Sequence, residues 1–305
     1  MPAPQGLIPI LATPFNPDGT LDLPSLRRLT EFCLESGVDG VAVNGNASEA
    51  FALTASERRL VLEEVRAVAD GAVPVVAGVN AMSTVTAVEQ ARDSSEQGAD
   101  VLMVLPPFMV KPTPPQLLDF YGEVANTCSE LGSEVMLQDA PGPTGVQFPV
   151  DTIVELSRVT AISSVKVEAP PTAEKIDTVA ASCATPEFTV LGGNNAQLCL
   201  EEYARGATGT MPASEFVDVL RPVLDAWNAG NHLEARRGFA SLLPLILLGV
   251  QPGLAWSVHK EVLVLRGIIA AATVRAPAKP LSARSRDALT AVLLSLSIPT
   301  PVSSR

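Results

Sequence analysis

Short apolar runs alternate with helical patterns along the first 215 residues. The runs fall at 7–15, 41–44, 74–79, 101–105, 135–138, 162–167, 188–191 and 207–211. They are rich in Val, Ile and Leu and lack polar alternation, the pattern of parallel strands buried on both faces. Helix signals lie between them. Thr54-Ala-Ser-Glu57 reads as a capping box, followed by Leu60, Val61, Val65 and Val68 on one stripe. Asp22 is placed to cap the segment in which Leu26, Leu29 and Cys33 share a face, and Ser83 to cap the segment after VVAGVN. Gly37, Gly71, Gly98 and Gly132 fall where these helices should stop.

Eight such units predict the α/β class and a (β/α)8 TIM barrel rather than an open doubly wound sheet. The open sheet is disfavoured because no strand is followed by GxGxxG or GxxxxGK[ST]. Beyond residue 215 the pattern is helical, at 216–229, 231–248, 254–273 and 284–297. The first of these should close the barrel. The expected division is a barrel over 1–230 and a helical extension over 231–305 packed on it as an appendage, within one structural domain.

Composition narrows the function. Of 305 residues, 47% are hydrophobic but only 4% aromatic, so the core must be aliphatic. A net charge of −12 argues against a nucleic-acid partner, which needs clustered Lys and Arg. The N-terminus lacks a basic segment before its apolar run, and LLPLILLGV is too short to span a bilayer, so a cytoplasmic protein with no membrane partner is expected. The cysteines (33, 128, 183, 199) form no CxxC pair and read as small buried hydrophobes. His232 and His259 form no HxH or HExxH pattern, so neither a metal site nor a serine–histidine triad is expected.

In such a barrel the chemistry belongs at the C-terminal strand ends. Lys166 lies inside the apolar run ISSVKVE, where an unpaired charge is costly. Burial favours the neutral amine that attacks carbonyls; the alternative is a lysine that snorkels to solvent. Period-two geometry puts Glu168 on the same side, one step nearer the mouth, as a proton shuttle or a plain salt-bridge partner. Of Gln138 and Asp139, one should face the barrel interior and the other the helices. The loops NGNASE (44–49) and GGNN (192–195) could aim N–H groups at a carboxylate.

Together these segments resemble the dihydrodipicolinate synthase / N-acetylneuraminate lyase family of Schiff-base barrels, over nearly the whole chain. IPILATPFNPDGTLD is similar to its opening strand, GNASEAF to its keto-acid-carboxylate loop, LPPFMVKPT to the next strand exit and QDAPGPTGV to its Y-N-x-P-x-x-T-G segment. SVKVEAP supplies the imine lysine, which carries over to Lys166. The resemblance implies a lyase that needs no cofactor beyond the covalent imine, takes a small-molecule 2-keto acid, and assembles as a homotetramer with Phe108 and Met109 near the tight dimer contact.

The departures refine this. The family's relay tyrosine is Gln138 here, its loop threonines fall on Asn46 and Ala47, and the arginine that holds aspartate semialdehyde corresponds to Pro143. Dihydrodipicolinate synthesis is therefore not expected. QDAP, K-x-E-x-P, N-x-S-E and the late GATGTM strand resemble the L-2-keto-3-deoxyarabonate dehydratase branch. That branch implies dehydration of a 2-keto-3-deoxy sugar acid through Lys166, Glu168 and Gln138, with Asn46, Ala47, Ser48, Gly193, Asn194 and Thr208 binding substrate. Because Gln138 does not titrate, it can only orient; Glu168 and a water held by Gln138 or Ser48 are the proton-transfer candidates. The alternatives are an aldolase or hydratase-aldolase using the same imine, and a non-catalytic keto-acid-binding regulator. After LPLI the stretch LPLILLGVQPGLAWSVHKEVL is less polar than the resemblance implies, so the pocket there should differ.

Overall fold

The computed structural model describes residues 3–296 and Ile298; the remainder of the expected 231–305 extension, and residue 297 of its last predicted helix, lie outside the described residues. Eight parallel strands form one sheet: β1 (Gly6–Leu7), β2 (Val41–Val43), β3 (Val75–Val79), β4 (Val101–Val104), β5 (Glu134–Asp139), β6 (Ile162–Val167), β7 (Thr189–Gly192) and β8 (Gly209–Thr210). β1 pairs with β8, and the sheet closes through Ile10, which bridges Ala42 on one side and Ala213 on the other. Leu11 N–H donates to Ala42 C=O and Ala42 N–H to Pro9 C=O, both at 2.8 Å. Of the expected run 7–15 only Leu7, with Gly6 before it, forms regular ladder, because Pro9 and Pro14 lack the N–H that a continuous strand requires.

Helices α1 (Leu23–Glu35), α2 (Ala55–Ala69), α3 (Thr84–Glu96) and α4 (Pro114–Leu131) follow β1 to β4. The expected caps are present. Asp22 accepts from Ser25 N–H at 3.0 Å, Ser83 accepts from Thr86 N–H at 3.4 Å, and Thr54 and Glu57 form a capping box. The Pro/Gly segment after β5 folds as the short helix α5 (Pro141–Thr144) and is followed by α6 (Val150–Leu156). Then come α7 (Thr172–Cys183), α8 (Cys199–Tyr203) and α9 (Val217–Asn228).

Two apolar layers result from the strand alternation. Inside the barrel lie Ile8, Ile10, Val76, Met103, Met136 and Leu191, while the larger layer between strands and helices holds Leu7, Val43, Leu102, Leu137, Val165 and Val190. Gln138 and Asp139 divide between the layers. Asp139 points outward, 2.5 Å from Lys175 Nζ, and accepts from Phe148 N–H at 3.0 Å.

α10 (His232–Leu248), α11 (Ala255–Leu265) and α12 (Ala283–Leu296) complete the chain. The helix expected over 254–273 ends at Leu265, since Gly267 adopts a left-handed φ of +74°, which stops a helix readily. No described helix is long and apolar enough to cross a membrane. α11 and the chain after it are no peripheral appendage, because they reach across the barrel mouth. Trp256 Nε1 donates to Asn46 C=O at 2.7 Å, Lys260 pairs with Glu49 inside the protein, and Arg275 clamps Glu57 and the Gly19 carbonyl. Lys260 Nζ also lies 4.0 Å from the Phe15 ring centroid and donates to Thr273 C=O at 2.8 Å. Burial pushes Lys260 down to about 8, against the upward pull of the Glu49 carboxylate.

The interior layer makes a stability prediction. Met136 has no exposed surface, so Met136→Ala should cost about 2–5 kcal/mol in urea unfolding. Val85→Ala on exposed α3 should stay within about 0.5 kcal/mol of the parent.

Candidate active site

Ser164, Lys166 and Glu168 alternate to the inside of the barrel along β6 and its exit. Lys166 is paired in register with Gln138 of β5 and is 2% exposed. Lys166 Nζ lies 3.4 Å from Glu168 Oε1. That carboxylate is saturated with donors: Oε1 also accepts from Asn194 N–H at 3.1 Å, and Oε2 accepts from Gln138 Nε2 at 2.9 Å. Asn194 Nδ2 further donates to Glu168 C=O at 3.1 Å. Burial alone would raise the Glu168 pKa. The Lys166 ammonium, the Gln138 amide and the Asn194 N–H outweigh it and hold the carboxyl below its usual value.

Gly193 makes room for the pair. A Cβ there would sit 2.5 Å from Glu168 Cγ and 2.7 Å from Lys166 Cε. The expected Gly193–Asn194 loop thus shapes and neutralises the site.

The pair opens into a cavity of about 400 Å³ whose walls include Asn46, Ala47, Pro143, Met211, Trp256 and His259. A recess of about 230 Å³ shares Asn46, Pro143, Glu168 and Asn194 with it and includes Gln138. No arginine among the described residues lines either space. Neither tyrosine reaches them: Tyr121 is buried on α4 with its hydroxyl donating to Val104 C=O at 2.8 Å, and Tyr203 lies beside Asp39 and Arg221 at the opposite barrel end. No group of three or more His, Cys, Asp or Glu residues suited to a metal occurs among the described residues.

The loop after β2 presents Asn46 and Ala47 to the cavity, and their N–H groups carry no protein acceptor among the described residues. Ser48 behaves differently. It is fully buried, with Oγ donating to Leu11 C=O at 2.7 Å and accepting from Gly45 N–H at 3.3 Å, so it braces the loop from behind.

Thr208, expected to bind substrate, is not part of the site. It is exposed at the N-terminal end of β8, in a groove with Gly6, Asp39 and Arg221, and cannot bind a ligand at the opposite mouth. The site contribution from this strand comes three residues later, from Met211. The GATGTM motif was recognisable, but which of its residues reaches the mouth depends on where the short ladder begins.

Sequence reasoning missed His259 and Glu215. His259 Nδ1 lies 2.7 Å from Glu215 Oε1, with 5% and 0% of the side chains exposed. They are 44 residues apart, on α11 and in the loop after β8, and no motif links them. The available signal was the unusual WSVHKE segment, which carries Trp256 and His259 one helical turn apart.

Fold and site define a (β/α)8 barrel with an amine–carboxylate pair at its C-terminal mouth. The dihydrodipicolinate synthetase family model matches residues 3–296; the chain belongs to that family, whose members are lyases. It is 29% identical over 249 residues to an L-2-keto-3-deoxyarabonate dehydratase of Azospirillum brasilense, covering 80% of this chain and 79% of the relative. It is 31% identical over 292 residues to a 4-hydroxy-tetrahydrodipicolinate synthase of Methylococcus capsulatus, covering 93% and 96%. The crystal structure of a dihydrodipicolinate synthase from Rhodopseudomonas palustris superposes with a TM-score of 0.89 at 30% identity, covering 96% and 97% of the two chains.

Behind Gly192, Glu202 accepts from Thr172 Oγ1 at 2.6 Å, while its Oε2 is buried without a hydrogen-bond partner among the described residues. Burial raises this carboxyl to about 7; the Thr172 hydrogen bond opposes the shift and the Glu168 charge adds to it. Because the folded-state pKa is raised, its stabilising contribution is complete below about 4.5 and is lost as pH rises through 7. Glu202→Gln removes that dependence. Its stability relative to the parent should improve by about 3 kcal/mol between pH 4.5 and pH 8, measured by denaturant unfolding at both pH values.

Proposed function

We propose that this protein is a Schiff-base dehydratase of a 2-keto-3-deoxy sugar acid, of the L-2-keto-3-deoxyarabonate type. The observation that carries the proposal is Lys166: a buried amine, held by one donor-saturated carboxylate, at the wall of a cavity large enough for a sugar acid. Lys166 Nζ attacks the C2 carbonyl, and loss of water from C2 leaves a protonated imine. Removal of a C3 proton moves its bonding pair into C2=C3, with the C=N electrons settling on nitrogen. The resulting enamine expels the C4 hydroxyl, which leaves as water once protonated. Hydrolysis of the unsaturated imine regenerates Lys166.

The other side chains suit supporting parts. Glu168, held ionised by its donors, faces the cation through every imine stage and is a poor proton carrier. Gln138 fixes Glu168. The free N–H groups of Asn46 and Ala47 are available to the substrate carboxylate. Pro143 and the absence of a cavity arginine among the described residues speak against aspartate semialdehyde as substrate, and the A. brasilense relative supports dehydration. A homotetramer is part of the proposal. Met109 and Val110, 77% and 79% exposed in the single chain, suit the tight dimer contact.

Borohydride should fix a mass adduct of pyruvate or a longer 2-keto acid that folded Lys166→Ala does not form. Equal labelling of that variant would remove Lys166 as nucleophile. With 2-keto-3-deoxy acids, the product should keep its full carbon skeleton; release of pyruvate and an aldehyde would mean an aldolase instead. Glu168→Gln should still be trapped, with imine formation displaced to lower pH because the neutral amine loses its competing ion pair. An unchanged pH profile would exclude Glu168 from electrostatic control of the amine.

A further inference from the structure

The proposed dehydration needs one group that accepts a proton at C3 and delivers one to the hydroxyl leaving C4. Gln138 cannot titrate, Glu168 is occupied by three donors, and Ser48 Oγ is turned away from the cavity. Neither tyrosine lines the cavity.

We infer that His259 is that group and that Glu215 is its positioning residue; the assignment rests on the imine chemistry proposed for Lys166. His259 lines the same cavity as Lys166 and Glu168. Its Nδ1 is bound to Glu215 at 2.7 Å, and Nε2 has no protein partner among the described residues. A carboxylate only accepts, so Glu215 places the proton on Nδ1 and leaves the Nε2 lone pair for the substrate. When Nε2 takes the C3 proton, the imidazolium faces a buried carboxylate whose other oxygen, Oε2, has no hydrogen-bond partner among the described residues. The same proton then passes from Nε2 to the C4 hydroxyl. Water departs, and His259 returns to its starting form without another donor.

The ring is held for this task. A Cβ on Gly249 would come 2.9 Å from His259 Cε1 and 2.5 Å from Asn195 Nδ2, so the glycine backbone packs directly against the imidazole. Trp256, one turn earlier on α11, lines the same cavity and anchors the helix to the carboxylate-binding loop through Asn46 C=O. The charged groups around the pair are Arg266, which donates to Glu215 C=O and binds Asp218, and Lys166 with Glu168 across the cavity.

The test uses pyruvate, whose methyl group is the C3 position. Imine formation is read by borohydride trapping, and C3 proton transfer by solvent deuterium entering the methyl. The parent should do both. His259→Asn should trap pyruvate as the parent does while exchange falls by about 10²-fold or more, the usual loss for a general base. Parent-like exchange in His259→Asn would overturn the assignment, as would a folded variant that no longer forms the imine. If His259→Asn does not fold, Glu215→Gln decides. It should keep trapping, exchange more slowly and move the acid limb of the exchange profile to lower pH; an unshifted profile at full rate would overturn the inference. Failure of the parent to trap pyruvate or any 2-keto-3-deoxy acid would instead remove the imine reading itself, an outcome distinguishable from the others.

Discussion

An ammonium group inside an aliphatic barrel is the constraint around which the site is built. Lys166 is 2% exposed, and removing one partner of such a buried pair costs about 3–5 kcal/mol. Glu168 supplies the counter-charge from the next inward position of the same strand, but it too must be compensated. Gln138 from β5 and the Asn194 N–H from the loop after β7 do so, drawing three neighbouring strand ends together. Gly193 follows from the same requirement, because any side chain there would occupy the space of the two it serves. The pair thereby dictates residue choice in elements far from it in sequence.

The second organising feature is electrostatic attachment of the C-terminal segment to the mouth. Lys260 and Glu49 meet in the interior, and Arg275 bonds Glu57, Gly19 C=O and Ala52 C=O. Glu49 belongs to the loop that presents Asn46 and Ala47, so the clamp also fixes the loop proposed to hold a carboxylate. This explains why a segment that reads as a helical extension lines the cavity: its charges are spent on the barrel mouth rather than on solvent.

Much of the barrel was legible because strand and helix periods are local properties. The eight runs, the capping box at Thr54 and the division of Gln138 and Asp139 between the two faces all follow from spacing, although spacing did not say which of the two points inward. What was not legible depends on where ladders start and where helices from distant sequence come to rest. The GATGTM strand begins at Gly209, which leaves Thr208 at the wrong end of the barrel. Ser48 has the composition of a ligand-binding residue, but its hydroxyl satisfies the Leu11 carbonyl, a partner 37 positions away. His259 gave no motif because its partner, Glu215, lies on a different element; pairwise chemistry across 44 residues leaves no periodic trace.

The replacement at Gln138 and the content of α11 are then two sides of one physical problem. A relay hydroxyl on β5 would both orient groups and carry protons. Glutamine keeps the first capacity, since its amide holds Glu168 at 2.9 Å, and forfeits the second. A site of the proposed imine type with glutamine rather than a titratable group on β5 needs a proton carrier entering from another wall. The 249–259 segment forms such a wall, and it carries an imidazole whose other nitrogen is already engaged by a carboxylate. A histidine placed only for packing would have no need of that buried carboxylate, which is itself costly to keep out of water. The cost of burying Glu215 is therefore the strongest physical reason to regard α11 as part of the reaction chamber rather than its cover.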